Sequence, residues 1–232
     1  MSIANLESII ESAARIALKA ASSITPAHLD EALEVIRFGE TRPRSRDEVM
    51  RTARHEAGHT IMYWLSGWWP TYVTVVSRGD HGGYMAHSAE EIENRGIRTK
   101  EQLLASIRVC LGGRAAELIY YGEDEGLSTG PSSDLLNATN QARDIICRYG
   151  MDQDFGLIVT SELMKYEGGL SSPIHQQINK GISSILSEQM KLTQQLLTEN
   201  RKYLDAVSDA LADTERLAKE ELQDILQERR TN

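Results

Sequence analysis

The chain opens on two short stretches of helical periodicity. Leu6, Ile9, Ile10, Ala13, Ile16 and Ala17 recur at three- and four-residue steps, which puts them on one face of a first helix. Thr25-Pro26, a capping residue before a proline suited to the first helical position, announces a second helix bearing Leu29, Leu33, Ile36 and Phe38. Residues 39–45 break the period, with Pro43 between Arg42 and Arg44, and read as a linker whose arginines, with Arg46, are solvated. Ser45 and Glu48 have capping-box spacing, so a third helix is predicted from there to about Ser66, stopped by Gly67. The pattern then changes. Residues 72–76 are rich in β-branched side chains, 83–87 form a second short run, and a polar, glycine-rich turn joins them into a hairpin.

Helical spacing returns at Thr99 and Gln102, a second capping pair, and carries Leu103, Leu104, Ile107 and Leu111. A loop is expected over residues 122–131, then a helix from near Ser132 through Leu135, Ile145 and Ile146 to Gly150. From about His175 onward the pattern is helical almost throughout. Ile178, Ile182, Ile185, Leu186, Leu196, Leu197, Leu204, Leu211, Leu217, Leu222 and Ile225 mark its apolar side, and no heptad register persists. An antiparallel bundle is therefore expected in place of a coiled coil. The fold class predicted is mainly α, with a small β-hairpin and a C-terminal helical bundle.

Composition narrows the function classes. At 232 residues, with 41% hydrophobic and 25% charged residues, the chain is globular and long enough for one or two domains. Its 25 basic against 34 acidic residues give a net charge of −9, which repels phosphate backbones, so no nucleic-acid partner is expected. Cys110 and Cys147 match no metal or redox spacing and read as inert core thiols. Glu7 and Glu11 interrupt the first apolar stretch, which argues against a signal peptide. Residues 57–77 lack Asp, Glu, Lys and Arg, but Gly58, Gly67 and Pro70 break the run, so no membrane span is expected. Trp64, Trp68 and Trp69 read as core or subunit interface, and His28, His81, His87 and His175 lack metal-ligand spacing.

The chemistry is concentrated at His55-Glu56-Ala57-Gly58-His59, an H-E-x-x-H sequence inside the third predicted helix. Positions i and i+4 share a helix face, so both imidazoles reach one zinc ion from a rigid backbone. Glu56, beside the ligands, is placed to act as general base on a water molecule and to return the proton to a leaving amine. Gly58 is a poor helix residue and predicts close packing or ligand access at that point. A third ligand is required. Position 65 is Leu, which excludes the metzincin extension. Two carboxylates remain. Asp134 opens a helix, whose dipole holds a carboxylate ionised; Glu117 lies late in its own helix, behind Gly112-Gly113. Helix electrostatics favour Asp134 without excluding Glu117. The paired glycines predict close helix approach near the metal helix. As a hypothesis, residues 83–87 form a sheet edge beside the zinc, where an extended peptide pairs through its backbone.

The segments HEAGH at 55–59, GGRAAE at 112–117 and STGPSSDL at 128–135, with Ala138-Thr139, Ala142-Arg143 and Tyr149-Gly150-Met151 after them, resemble the protease part of the FtsH family of membrane-anchored AAA+ zinc metalloproteases. The resemblance implies a zincin-like peptidase with Zn2+ held by His55, His59 and Asp134, Glu56 as the catalytic residue, and Glu117 beside a ligand instead of on the metal. It also implies an organisation: residues 1–38 as a helical fragment similar to the AAA+ lid, 39–46 as linker and 47–232 as peptidase domain. No G-x-x-x-x-G-K-[ST] occurs in the sequence, so ATP would enter only through a motor region, in cis or in trans, that lies outside this chain. Leu118 and Pro131 stand where the family more often carries Glu and Ala. By the same resemblance the substrates are unfolded or tagged polypeptides and the assembly a homo-hexamer. The location implied is cytoplasmic, or membrane-associated through parts not present. A catalytically inert assembly or adaptor module with the same fold is the competing reading; a retained Glu56 argues against it.

Overall fold

The computed structural model describes residues 3–77, 82–86, 96–153, 155–160 and 172–227. Its helices are α1 (Ile3–Lys19), α2 (Pro26–Phe38), α3 (Arg46–Leu65), α4 (Lys100–Gly126), α5 (Ser132–Cys147), α6 (Ser172–Glu199), α7 (Arg201–Thr214) and α8 (Lys219–Gln227). Its strands are β1 (Tyr72–Thr74), β2 (Tyr84–Ala86) and β3 (Arg216–Ala218). The fold is mainly helical with a small antiparallel sheet, as the periodicity predicts. Two compact units are present, one from the described residues of 1–45 and 76–83, the other from 46–75 and 84–227.

In the smaller unit α1 and α2 pack on each other through Ile9, Ala13, Ile16, Ala32 and Leu33. The Thr25 amide donates to His28 Nδ1 at 3.1 Å, a capping box closed by a histidine. Leu6, Ile10, Leu29 and Ile36, which the pattern assigns to the apolar faces, are exposed. Two helices alone bury only the stripe along their mutual contact, narrower than a full amphipathic face.

The larger unit contains two cores with α4 between them. Ala115 and Ala116 of α4 pack with Ala57 and Ile61 of α3, Leu204 and Leu211 of α7, Val73 of β1 and Leu222 of α8. Leu103, Ile107 and Leu111 pack with Ala142, Ile145 and Ile146 of α5 and Ile178 and Ile182 of α6. Trp64 joins the first core edge-on to Tyr203 at 5.2 Å, and Trp69 packs against it. Cys110 and Cys147 form no disulfide among the described residues. The uncharged stretch 57–77 is the buried end of α3, a turn at Gly67 (φ +84°) and strand β1. Among the described residues, no helix is long and apolar enough to cross a membrane.

Two local expectations change. The hairpin pairs Tyr72 with Ala86 and Thr74 with Tyr84, but β1 also pairs with β3, giving the order β2-β1-β3. Residues 216–218 leave the helical run because Glu215 takes a left-handed φ of 58° at the end of α7. That reversal brings the Glu215 carbonyl to the Val75 amide, at 2.9 Å. Residues 122–126 are not loop: Gly122 kinks α4 at φ +73°, and one further turn follows before the loop opens at Leu127. His81 and His87 lie outside the described residues, as does part of the expected turn between β1 and β2.

Candidate metal centre

Three helices meet at the site, and glycines set their spacing. A Cβ on Gly58 of α3 would lie 2.2 Å from the Gly112 carbonyl oxygen of α4, and one on Gly112 would lie 2.6 Å from the Gly58 oxygen. Backbone therefore touches backbone where the two helices cross, as the sequence anticipates for both glycines. A Cβ on Gly113 would lie 2.4 Å from the His55 ring, so this glycine supplies the surface against which the imidazole lies.

His55 and His59, one turn apart on α3, face Asp134 in the first turn of α5. The two Nε2 atoms are 3.0 Å apart, and Asp134 Oδ2 is 3.3 Å from each. The opposite nitrogen of each ring is engaged elsewhere. His59 Nδ1 donates to the Val109 carbonyl at 2.7 Å; since a carbonyl only accepts, the ring proton is there and Nε2 presents a lone pair. His55 Nδ1 lies 2.8 Å from Glu117 Oε1, which leaves its Nε2 turned to the same centre. Once His55 Nε2 gives up its proton, two lone pairs and a carboxylate oxygen converge at about 3 Å and repel one another unless a metal cation lies among them. Tetrahedral zinc bonds of about 2.0–2.2 Å separate ligand atoms by roughly 3.3 Å, so the donor set fits zinc in both chemistry and spacing. These three residues form the one such cluster among the described residues.

The field at the centre is negative. Burial lowers the His55 imidazole, but hydrogen bonds to Asp134 and Glu117 outweigh it and push it up to about 10. Burial raises the Asp134 carboxyl, yet the two imidazoles hold it well below the usual carboxylate range. Glu56 is buried on the same helix, and burial raises its carboxyl, offset in part by His59 and His55. Glu117 is 2% exposed; burial raises it, but hydrogen bonds from His55, Ser128 and Arg51 hold it ionised.

His55, His59 and Asp134 are thus brought together, while Glu117 touches the far nitrogen of His55. Three participants have no role in the sequence reading. Ser128 Oγ donates to Glu117 Oε2 at 2.7 Å, Arg51 Nη2 donates to the same oxygen at 2.9 Å, and the Val109 carbonyl fixes His59. Arg51 precedes His55 by four residues, the same one-turn step that links the two histidines, and that spacing is the signal available in the sequence.

The sequence model of peptidase family M41 matches residues 43–225. An ATP-dependent zinc metalloprotease FtsH from Chloroflexus aggregans is 33% identical over 96% of this chain and 36% of its own length. The FtsH of Veillonella parvula is 35% identical over 91% of this chain and 35% of its own. FtsH 2 of Symbiobacterium thermophilum is 33% identical over 96% and 38%. The chain spans about a third of the length of the curated relatives it matches.

Proposed function

This chain belongs to peptidase family M41, and from that premise we propose that it is a zinc-dependent endopeptidase module. His55, His59 and Asp134 hold the ion, and Glu56 is the general base. The observation that carries the reading is the convergence of His55 Nε2, His59 Nε2 and Asp134 Oδ2 within 3.3 Å, with both Nδ1 atoms engaged away from the centre. Asp134 is preferred to Glu117 as the third ligand because Glu117 contacts the Nδ1 side of His55.

Zinc at this position polarises a peptide carbonyl and lowers the pKa of a water molecule to about 7. Glu56 takes a proton from the attacking water and delivers it to the leaving amine nitrogen. Its buried setting raises its pKa and so favours the protonated form needed for the second step. Glu117 keeps the His55 ring oriented. An extended substrate is proposed to add alongside β2, the strand at one edge of the β2-β1-β3 sheet. The module is proposed to act in a homo-hexamer on unfolded or tagged polypeptides. An ATP-driven unfoldase is proposed to deliver them, with residues 1–38 the lid fragment of such a motor. In the cell it is placed in the cytoplasm, or at a membrane through other parts.

Casein hydrolysis by zinc-loaded protein tests this against the inert module. Glu56→Gln should lose about 10²–10⁴-fold in rate while still carrying zinc. Wild-type turnover in that variant, or none in the wild type, contradicts the reading.

A further inference from the structure

Arg51 lies one turn before His55 on α3 and joins two elements that the metal centre depends on. Its Nη2 donates to Glu117 Oε2 at 2.9 Å and to the Glu125 carbonyl at 2.6 Å, and its guanidinium lies 4.6 Å from the centre of the Tyr121 ring. The Glu125 carbonyl belongs to the last turn of α4, beyond the Gly122 kink, where helix carbonyls lack internal partners. Glu117 Oε2 also accepts from Ser128 Oγ, and Ser128 Oγ in turn accepts the Gly130 amide at 3.3 Å. Residues 127–131 connect α4 to the helix that begins with Ser132 and bears Asp134. The carboxylate that orients His55 is therefore the anchor of the loop that delivers Asp134.

We propose that Arg51 is a positioning residue for the zinc site. Through Glu117 it fixes His55, and through the Glu125 carbonyl and the shared Ser128 contact it sets where α4 ends and the Asp134 loop begins. This rests on the zinc reading above. The guanidinium suits the task because it is planar and reaches two acceptors while lying over an aromatic face; an ammonium offers a point charge on a flexible stem. Partners one step removed from a metal ligand typically contribute 10–100-fold to metal affinity. Arg51 is one step further out, so the lower end is expected.

The test is the zinc dissociation constant of the full chain, measured by chelator competition on protein whose circular dichroism matches wild type. Arg51→Met should weaken zinc about 10-fold, Arg51→Lys by less, and Ser128→Ala by several-fold. A merely structural role lowers the melting temperature of metal-free protein and leaves zinc affinity unmoved. Zinc affinity within twofold of wild type in Arg51→Met overturns the inference and leaves the metal reading intact. Should Arg51→Met fail to fold, Arg51→Lys and Ser128→Ala decide on the same criterion. A wild-type chain that takes up no zinc overturns the metal reading and this inference with it.

Discussion

Each imidazole of the centre has two nitrogens and only one is free to bind metal, so the chemistry turns on what holds the other. For His59 a backbone carbonyl does this, and for His55 a carboxylate buried under Arg51 and Ser128. That His55 and His59 face one another was legible in the sequence because i, i+4 spacing is local. The part taken by Glu117 was not, since it depends on which edge of a ring a residue 62 positions away approaches. A second, half-exposed polar network joins α3, α4 and α7. The Tyr120 hydroxyl donates to Asp205 at 2.5 Å, and Arg54 and Arg201 lie 4.2 and 4.1 Å from its ring centre. Burial, reinforced by the Asp205 hydrogen bond, pushes the Tyr120 phenol up to about 12. Between pH 10 and 12 the unfolded phenol gives up its proton while the folded one keeps it. The unfolded state then binds fewer protons, and stability falls as pH rises through that window. Thermal melts of Tyr120→Phe should show a shallower alkaline decline than wild type; parallel curves would contradict the assignment.

At the scale of elements, long amphipathic helices were readable because their period repeats over several turns. The third strand was not, because three residues between two helices carry no alternation to detect. The α4 kink at Gly122 carries no distinct signal, because a glycine that interrupts a helix looks the same in sequence as one that ends it. The crossing of α3 over α4 reverses the usual effect of a helical glycine. In an ordinary helix interior Gly→Ala gains about 1 kcal/mol. At Gly58 the added carbon meets backbone at 2.2 Å, which moves only if the helices separate, so overpacking of about 1–3 kcal/mol outweighs the gain. At Gly181 of α6 the nearest atom is the Cδ1 of Ile146, a rotatable tip at 2.9 Å. Gly58→Ala should therefore melt several degrees below wild type, and Gly181→Ala should stay near it. Thermal denaturation of both decides, and a Gly58→Ala melting point at or above wild type would refute the close crossing.

Across the whole molecule, the site joins residues far apart in the chain, and all of them fall in the larger unit. The two histidines arrive on α3 and the aspartate on α5, with α4 packed against both helices. A cation shared by them ties α3 to α5 and should stabilise the fold by mass action. Helix electrostatics alone lean toward Asp134 as third ligand and leave Glu117 open. The resemblance to a known family favoured the first, and the observed geometry gives the two carboxylates different positions around His55. The measurement that tests this most directly is zinc content per chain, by elemental analysis at saturating zinc, in Asp134→Ala and Glu117→Ala side by side. Loss of the ion in the first with retention in the second is the predicted result; retention in the first and loss in the second would contradict the account.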